Sequence, residues 1–232
     1  MTLSALDRPP SLVEKVCERL ADLIRAQSPG DDNAFLPTER DLSAQLGVSR
    51  SVVREATKRL EQQGLLEIRQ GLGIRSVNRL HKPLSDALHL LVPNEMERLR
   101  QLVELRLIVE PENARLAAER ATPEQLAALA SAHDHLITAE TPSDSVAADM
   151  EFHRLLAVAS GNQISGLLLH SLSDLLEASL NHGYRRVTPK LAIQQHAAIL
   201  AALERRDPAA AARATTRHLV SARADLGLGP TA

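Results

Sequence analysis

From Ser11 onward, apolar side chains recur at helical spacing at Val13, Val16, Leu20, Leu23 and Ile24. Ahead of them, residues 1–10 end in Pro9-Pro10 and read as a short disordered lead. The run Ser28-Pro29-Gly30-Asp31-Asp32-Asn33 sets several turn formers side by side and stops the first helix. A second helix starts at Leu36-Pro37-Thr38-Glu39-Arg40-Asp41, where Thr38 suits the N-cap, Glu39 suits the helix dipole and Asp41 completes a loose capping box. Leu42 and Leu46 are its buried positions, and Gly47 ends it. Ser49 is placed to cap a third helix running to Gln63, with Val52, Val53, Ala56 and Leu60 inward and Gly64 as the left-handed terminator. Beyond it, Leu65–Arg69 and Ile74–Val77 flank Gln70-Gly71-Leu72-Gly73, which predicts a β-hairpin with a glycine-rich tip. This order, over residues 11–78, is that of a winged helix-turn-helix.

The texture changes near residue 79. Every later segment has helical period, and the breaks are short: Pro93-Asn94, Thr122-Pro123, Thr141-Pro142, Gly161-Asn162, Thr188-Pro189 and Asp207-Pro208. Thr or Asp directly before Pro suits an N-cap followed by Pro in the first helical turn. About seven helices are predicted: 84–91, 95–121, 123–139, 144–160, 163–181, 189–205 and 208–226. Pro111 falls inside the second, where a kink is expected. The fold class is therefore mainly α: a winged domain at 11–78, a linker with a linker helix at 79–94, and an antiparallel all-helical domain at 95–228.

Composition supports helices. Leu and Ala dominate the apolar residues, while Phe35, Phe152 and Tyr184 are the whole aromatic complement of 232 residues. So few rings also argue against a surface that stacks single-stranded bases. A net charge of −2 gives no whole-chain attraction to nucleic acid, so any basic footprint must be local. Cys17 is the single cysteine; it excludes an internal disulfide, fits a reducing compartment, and falls in the apolar row of the first helix as a small hydrophobe. No apolar run has the length of a membrane span and no secretory signal opens the chain, so a cytoplasmic location away from membranes is expected.

In a helix-turn-helix, the second helix of the pair enters the major groove with its N-terminal residues toward base edges. Here that helix begins at Ser49 and leaves Arg50, Ser51, Arg54 and Lys58 outward. An arginine fork can donate two hydrogen bonds to guanine. Over residues 50–75, Arg50, Arg54, Lys58, Arg59, Arg69 and Arg75 oppose only Glu55, Glu61 and Glu67, so the basic excess sits where phosphates would be met.

A second candidate chemistry lies after residue 140. Asp149 and His153 are four apart and share a helix face; His196 interrupts an otherwise apolar row, and His218 stacks on a row of small residues in the last helix. Three helices can each direct a ligand inward, as bundles build metal sites. Separate histidines, each satisfied by its own hydrogen bond, are an equally open reading of the spacing alone. The other six histidines are read as surface or structural.

The segments Leu36–Leu42, Gly47–Ala56, Leu60–Leu66 and Gly71-Leu72-Gly73 resemble the GntR family of bacterial transcription regulators nearly word for word. The resemblance implies that Arg40, Arg50 and Arg54 contact DNA and that Gly71 at the wing tip approaches the minor groove, with Lys58 and Arg59 as further candidates. Thr38 stands where the family commonly has Ser and keeps a capping hydroxyl. Glu104–Glu110, Ala114–Ala121, Asp149–His153, Ser160-Gly161-Asn162, Gln195–Leu203 and Arg217-His218-Leu219 resemble the ligand-binding domain of the FadR branch. In its metal-binding members one Asp and three His hold a divalent cation, which maps onto Asp149, His153, His196 and His218. The resemblance further implies a small carboxylate or sugar-acid effector against the metal, with Arg106 nearby and Asn162 shaping the pocket. Three nitrogens and one oxygen suit Zn²⁺ first, with Ni²⁺ or Mn²⁺ as alternatives.

The expected function is a homodimeric repressor reading a palindromic double-stranded operator and released by a metabolite. Two rivals differ in kind: a regulator whose metal is structural and which answers to metal supply, and a metal-dependent hydrolase. The hydrolase would need a general base near the metal, and Glu151, two residues along a helix from Asp149, points elsewhere.

Overall fold

The computed structural model describes residues 10–26, 35–69, 72–77, 79 and 82–228. The expected disordered lead and the wing-tip Gly71 lie outside the described residues, except for Pro10. The described residues form eleven helices and three short strands, in two compact units parted between Pro83 and Leu84.

In the first unit, α1 (Leu12–Arg25) opens on a capping box in which Ser11 and Glu14 satisfy each other's backbone N–H groups. Val13, Val16 and Leu20 form its buried stripe. Helix α2 (Glu39–Leu46) is capped by Thr38, whose hydroxyl accepts from the Asp41 N–H, and stopped by Gly47 at φ 65°. That left-handed turn costs a glycine little and aims the chain into α3 (Arg50–Gln62), capped by Ser49. Val53, Ala56 and Leu60 are buried against Leu20, Leu42 and Leu66, and Cys17 packs at the margin of this core. Val52, expected inward with them, is only half-buried. Strands β2 (Leu66–Arg69) and β3 (Gly73–Ser76) pair antiparallel with Ile68 opposite Ile74. A strand that the pattern did not signal, β1 (Phe35–Leu36), adds to the far side of β3. Two residues are too few to show alternation, which is why periodicity missed it.

The second unit is helical: α4 (Lys82–Leu91), α5 (Glu95–Arg120), α6 (Pro123–Thr138), α7 (Pro142–Ala159), α8 (Gln163–His170), α9 (Ser173–Tyr184), α10 (Lys190–Glu204) and α11 (Pro208–Asp225). Thr122, Thr141 and Asp207 cap α6, α7 and α11 through their side chains as expected, whereas at Thr188-Pro189 the N-cap is Pro189 itself, without a side-chain cap, and α10 begins at Lys190. Helix α5 continues through Pro111 to Arg120. One predicted helix is corrected: 163–181 is two helices, broken at Ser171-Leu172 and extended to Tyr184. Neither Gly nor Pro marks that break, and the apolar period runs across it. Its core gathers Ala114, Ala117 and Ala118 of α5 with Phe152, Leu156, Ile199, Leu203, Ala211 and Ala214. Small side chains on α5 and α11 let helices pack closely around a few large ones, each fully buried Leu or Phe contributing about 1.5–3 kcal/mol. No helix among the described residues is long and apolar enough to cross a membrane.

Candidate functional site

The first site is the outer face of α3. Arg50, Ser51, Arg54 and Lys58 are exposed there, and Arg40 is exposed on α2. Ser51 Oγ lies 2.8 Å from the capping Ser49 Oγ. Arg54 Nε donates to Glu39 Oε2 at 3.2 Å, a contact between α3 and α2. Arg50 and Lys58 have no ion pair among the described residues. On the strands, Glu67 draws Arg75, Arg69 and Arg79 together. The Arg75 bond, ahead of the others, holds the Glu67 carboxyl below its ordinary range. Glu61 accepts from the Ile68 N–H at 2.9 Å, tying α3 to β2. The acidic residues of this region are therefore engaged locally, and Arg50, Arg54 and Lys58 stand along one helix face with free access to a groove.

The second site lies inside the helical unit. Asp149, His153, His196 and His218 are all buried, and one ligand atom from each lies within 4.8 Å of the others. His153 Nε2 is 3.1 Å from Asp149 Oδ1 and 3.1 Å from His218 Nε2; His196 Nε2 is 3.4 Å from His218 Nε2. Two donors about 2.1 Å from one divalent ion stand roughly 3.0–3.4 Å apart at octahedral or tetrahedral angles, so the set fits a metal.

The far sides of the rings sharpen that test. His153 Nδ1 lies 2.7 Å from Glu110 Oε2, and His218 Nδ1 lies 3.2 Å from Gln195 Oε1. His153 Nδ1 lies close to Glu110 Oε2 without a hydrogen bond between them, whereas Gln195 Oε1 accepts, so His218 Nδ1 carries the proton and its Nε2 lone pair is turned to the centre. Asp149 Oδ1 joins it there without a hydrogen bond. Converging lone pairs in a buried site repel unless a cation lies among them. Tyr184 donates to the other Asp149 oxygen. Phe152 stacks on the His196 ring at 4.0 Å between centroids.

The electrostatics agree. Burial alone would raise the Asp149 carboxyl, but His196 and then the other two rings overcome it and hold the group well below its usual value. Burial pushes His218 down to about 3 and His196 well below its ordinary value, so both are neutral ligands at neutral pH. His153 goes the other way: burial lowers it, but the Glu110 charge together with the contacts to Asp149 and Glu110 raises it above its ordinary value.

Arg106 borders the same centre. It is 1% exposed, donates to Glu110 Oε1 at 2.5 Å, and its Nη2 is 3.0 Å from His153 Nε2. Arg106, Glu110 and His153 form one end of a cavity of about 460 Å³ between α5, α7, α8 and α9. On the other side, Asp149, Tyr184, Gln195 and His218 line a pocket of about 40 Å³, which Arg106 also reaches. Asn162 stands apart: exposed, it caps α8 through Ser165 N–H and does not line either cavity. Glu110, Gln195 and Tyr184 were not singled out from sequence. Glu110 is one turn from Arg106 and Gln195 adjoins His196, which are the signals that were available; Tyr184 carried none beyond being the single tyrosine.

A winged helix-turn-helix in one chain with an all-helical unit that holds a buried Asp/His centre defines a DNA-binding transcription regulator. Sequence comparison agrees: the pattern described as "Bacterial regulatory proteins, gntR family" matches residues 12–75, and the FCD domain matches residues 101–221. The chain belongs to the GntR family, in its FadR-like, FCD-bearing branch. It is 34% identical over 230 residues to the uncharacterized HTH-type transcriptional regulator Rv0494 of Mycobacterium tuberculosis, covering 94% of this chain and 92% of the relative. It is likewise 34% identical to the HTH-type transcriptional repressor NanR of Salmonella newport, covering 90% and 83%. The solved structure of a Streptococcus agalactiae GntR superposes with a TM-score of 0.71 at 30% identity, over 91% of this chain and 99% of that one.

Proposed function

We propose that this chain is a cytoplasmic, homodimeric repressor whose grip on a palindromic operator is released by a small organic acid. The effector binds in the helical domain, beside a divalent metal held by Asp149, His153, His196 and His218. One observation carries the reading: a candidate ligand atom from each of four buried residues converges next to a buried guanidinium at the end of a cavity. Zn²⁺ suits three imidazoles and a carboxylate best, with Ni²⁺ and Mn²⁺ accommodated by the same donors. Such a metal would supply a Lewis-acidic centre and a positive field. Asp149 and Glu110 offset a divalent charge, which leaves the Arg106 charge uncompensated and favours a monoanion. Arg106 is thus the effector contact; the position of Asn162 supports a capping role instead.

In the winged domain, Arg50, Ser51, Arg54 and Lys58 on α3, with Arg40 on α2, are the proposed contacts to bases and phosphates, and Gly71 is the wing-tip contact. Residues 11–78 form the reading domain, 79–94 the linker and 95–228 the sensor. An effector releases DNA only by binding better to a conformation with lower operator affinity, and DNA must then weaken effector binding by the same factor. The test is a gel-shift titration of an operator against metal and a panel of organic acids. Release by an acid only when metal is present is expected. Operator affinity that tracks metal and ignores every acid favours the metal-responsive alternative.

A further inference from the structure

The chemistry of the cavity wall narrows the effector. Its buried lining divides into two parts. Arg106, Glu110 and His153 form a polar pole, and Leu102, Val146, Ala157 and Leu172 supply the rest. The half-buried Met150, Leu169 and Leu176 continue the apolar wall outward. Of the other polar side chains of the lining, Ser143, Arg154 and Glu177 are exposed and Glu151, His170, Ser173 and Asn181 are half-buried, toward the outer part of the wall. Two of them, Arg154 and Glu151, are joined to each other by paired bonds of 2.6 Å at the solvent side. A polyhydroxylated acid placed in this cavity would set its hydroxyls against leucine and valine, and each unpaired buried hydroxyl costs binding. No Phe, Tyr or Trp is among the described residues of the lining, so the cavity lacks the large aromatic platform on which a sugar face stacks.

We infer that the effector is an aliphatic monocarboxylate, its carboxylate at Arg106 and its hydrocarbon chain along Leu102, Val146, Leu172 and Leu176, and not a sugar acid. This rests on the reading of the site as an acid-binding pocket. A volume of about 460 Å³ is in the range of sites that enclose a small molecule and is ample for a medium-length chain. Each methylene that enters the apolar wall is expected to tighten binding about fourfold, until the wall is filled.

The experiment is isothermal titration calorimetry of the full chain loaded with Zn²⁺, with acetate, butyrate, hexanoate, octanoate and gluconate, alongside operator gel shifts with the same acids. The expected result is affinity that climbs from acetate to octanoate, with an increasingly negative heat-capacity change, and operator release in the same order. Gluconate is expected to bind no better than acetate. Leu176→Gln, a change at a half-buried position outside the main core, should flatten the climb. Gluconate binding more tightly than octanoate, or affinity independent of chain length, overturns the aliphatic assignment and leaves an acid-responsive regulator standing. If no acid binds, the acid-responsive reading fails as well.

Discussion

Arg106 Nη2 stands 3.0 Å from His153 Nε2, the same nitrogen that faces Asp149 Oδ1 and His218 Nε2 at 3.1 Å each. A guanidinium and a metal cation next to one nitrogen would repel unless an anion lay between them, and this is the physical ground for the proposed acid response. Arg106→Gln should keep metal binding and lose the response of operator affinity to organic acids. Metal content by mass spectrometry, with gel shifts plus and minus acid, checks both halves; a retained acid response would remove Arg106 from the effector site.

The four-residue centre should hold one divalent ion per chain. His196→Ala is expected to lower Zn²⁺ affinity by well over a hundredfold, while Glu110→Gln and Tyr184→Phe, which alter groups behind the ligands, each cost about 10–100-fold. Competition with a chromogenic chelator measures all three. Equal affinity in the wild type and His196→Ala would sink the site.

Arg54 is exposed and paired with Glu39 at 3.2 Å, a surface pair that the proposed base contact must open. Arg54→Ala should weaken operator binding by about 1–3 kcal/mol. Glu39→Gln frees Arg54 from an exposed pair of small worth, so operator affinity should rise by no more than about fivefold. An unchanged affinity in Arg54→Ala, at constant salt, would refute the contact.

Acid should destabilise the metal-free protein. His218 is surrounded by Asp149 and His153 of α7, His196 and Gln195 of α10, and Arg106 and Glu110 of α5. Burial holds its ring near 3 and places His196 well below the ordinary 6.5. The unfolded chain therefore takes up protons that the native state refuses, and stability falls as pH drops below about 6.5, by ~1.4 kcal/mol per pH unit for each ring. His153 is displaced upward, so its stabilisation is complete below its unfolded value and fades only as pH rises; it does not offset the acid slope. Thermal melts of metal-free wild type and His218→Gln should show the shallower slope in the variant.

Phe152 is fully buried and its ring lies parallel to His196. Phe152→Ala should cost about 3–5 kcal/mol of stability and loosen the ligand it supports. Denaturant melts with and without Zn²⁺ separate the two effects. A variant that melts like the wild type would mean the ring is not part of the core.

Much of this architecture was legible in one dimension. Caps at Ser49, Thr122, Thr141 and Asp207, the turn at Gly47 and the hairpin around Gly71–Gly73 depend on neighbours within a few residues, so local chemistry specifies them. The pair Asp149 and His153 was readable for the same reason, being one turn apart. The break at Ser171-Leu172 was not, because no residue there forbids a helix.

The amino-acid order alone therefore determined the two kinds of domain, the exposed basic face of α3 and the four residues that the structure gathers into the Asp/His cluster. Tertiary structure decided what no spacing contains: that Glu110 lies against His153 and Gln195 against His218, that Tyr184 binds Asp149, and that Asn162 caps α8 away from both cavities. It also decided that Arg106 ends a cavity whose buried wall is otherwise apolar. These relations join residues up to 65 positions apart across packed helices, as between His153 and His218. Helical periodicity tells which face of a helix is buried, and only packing tells what that face meets.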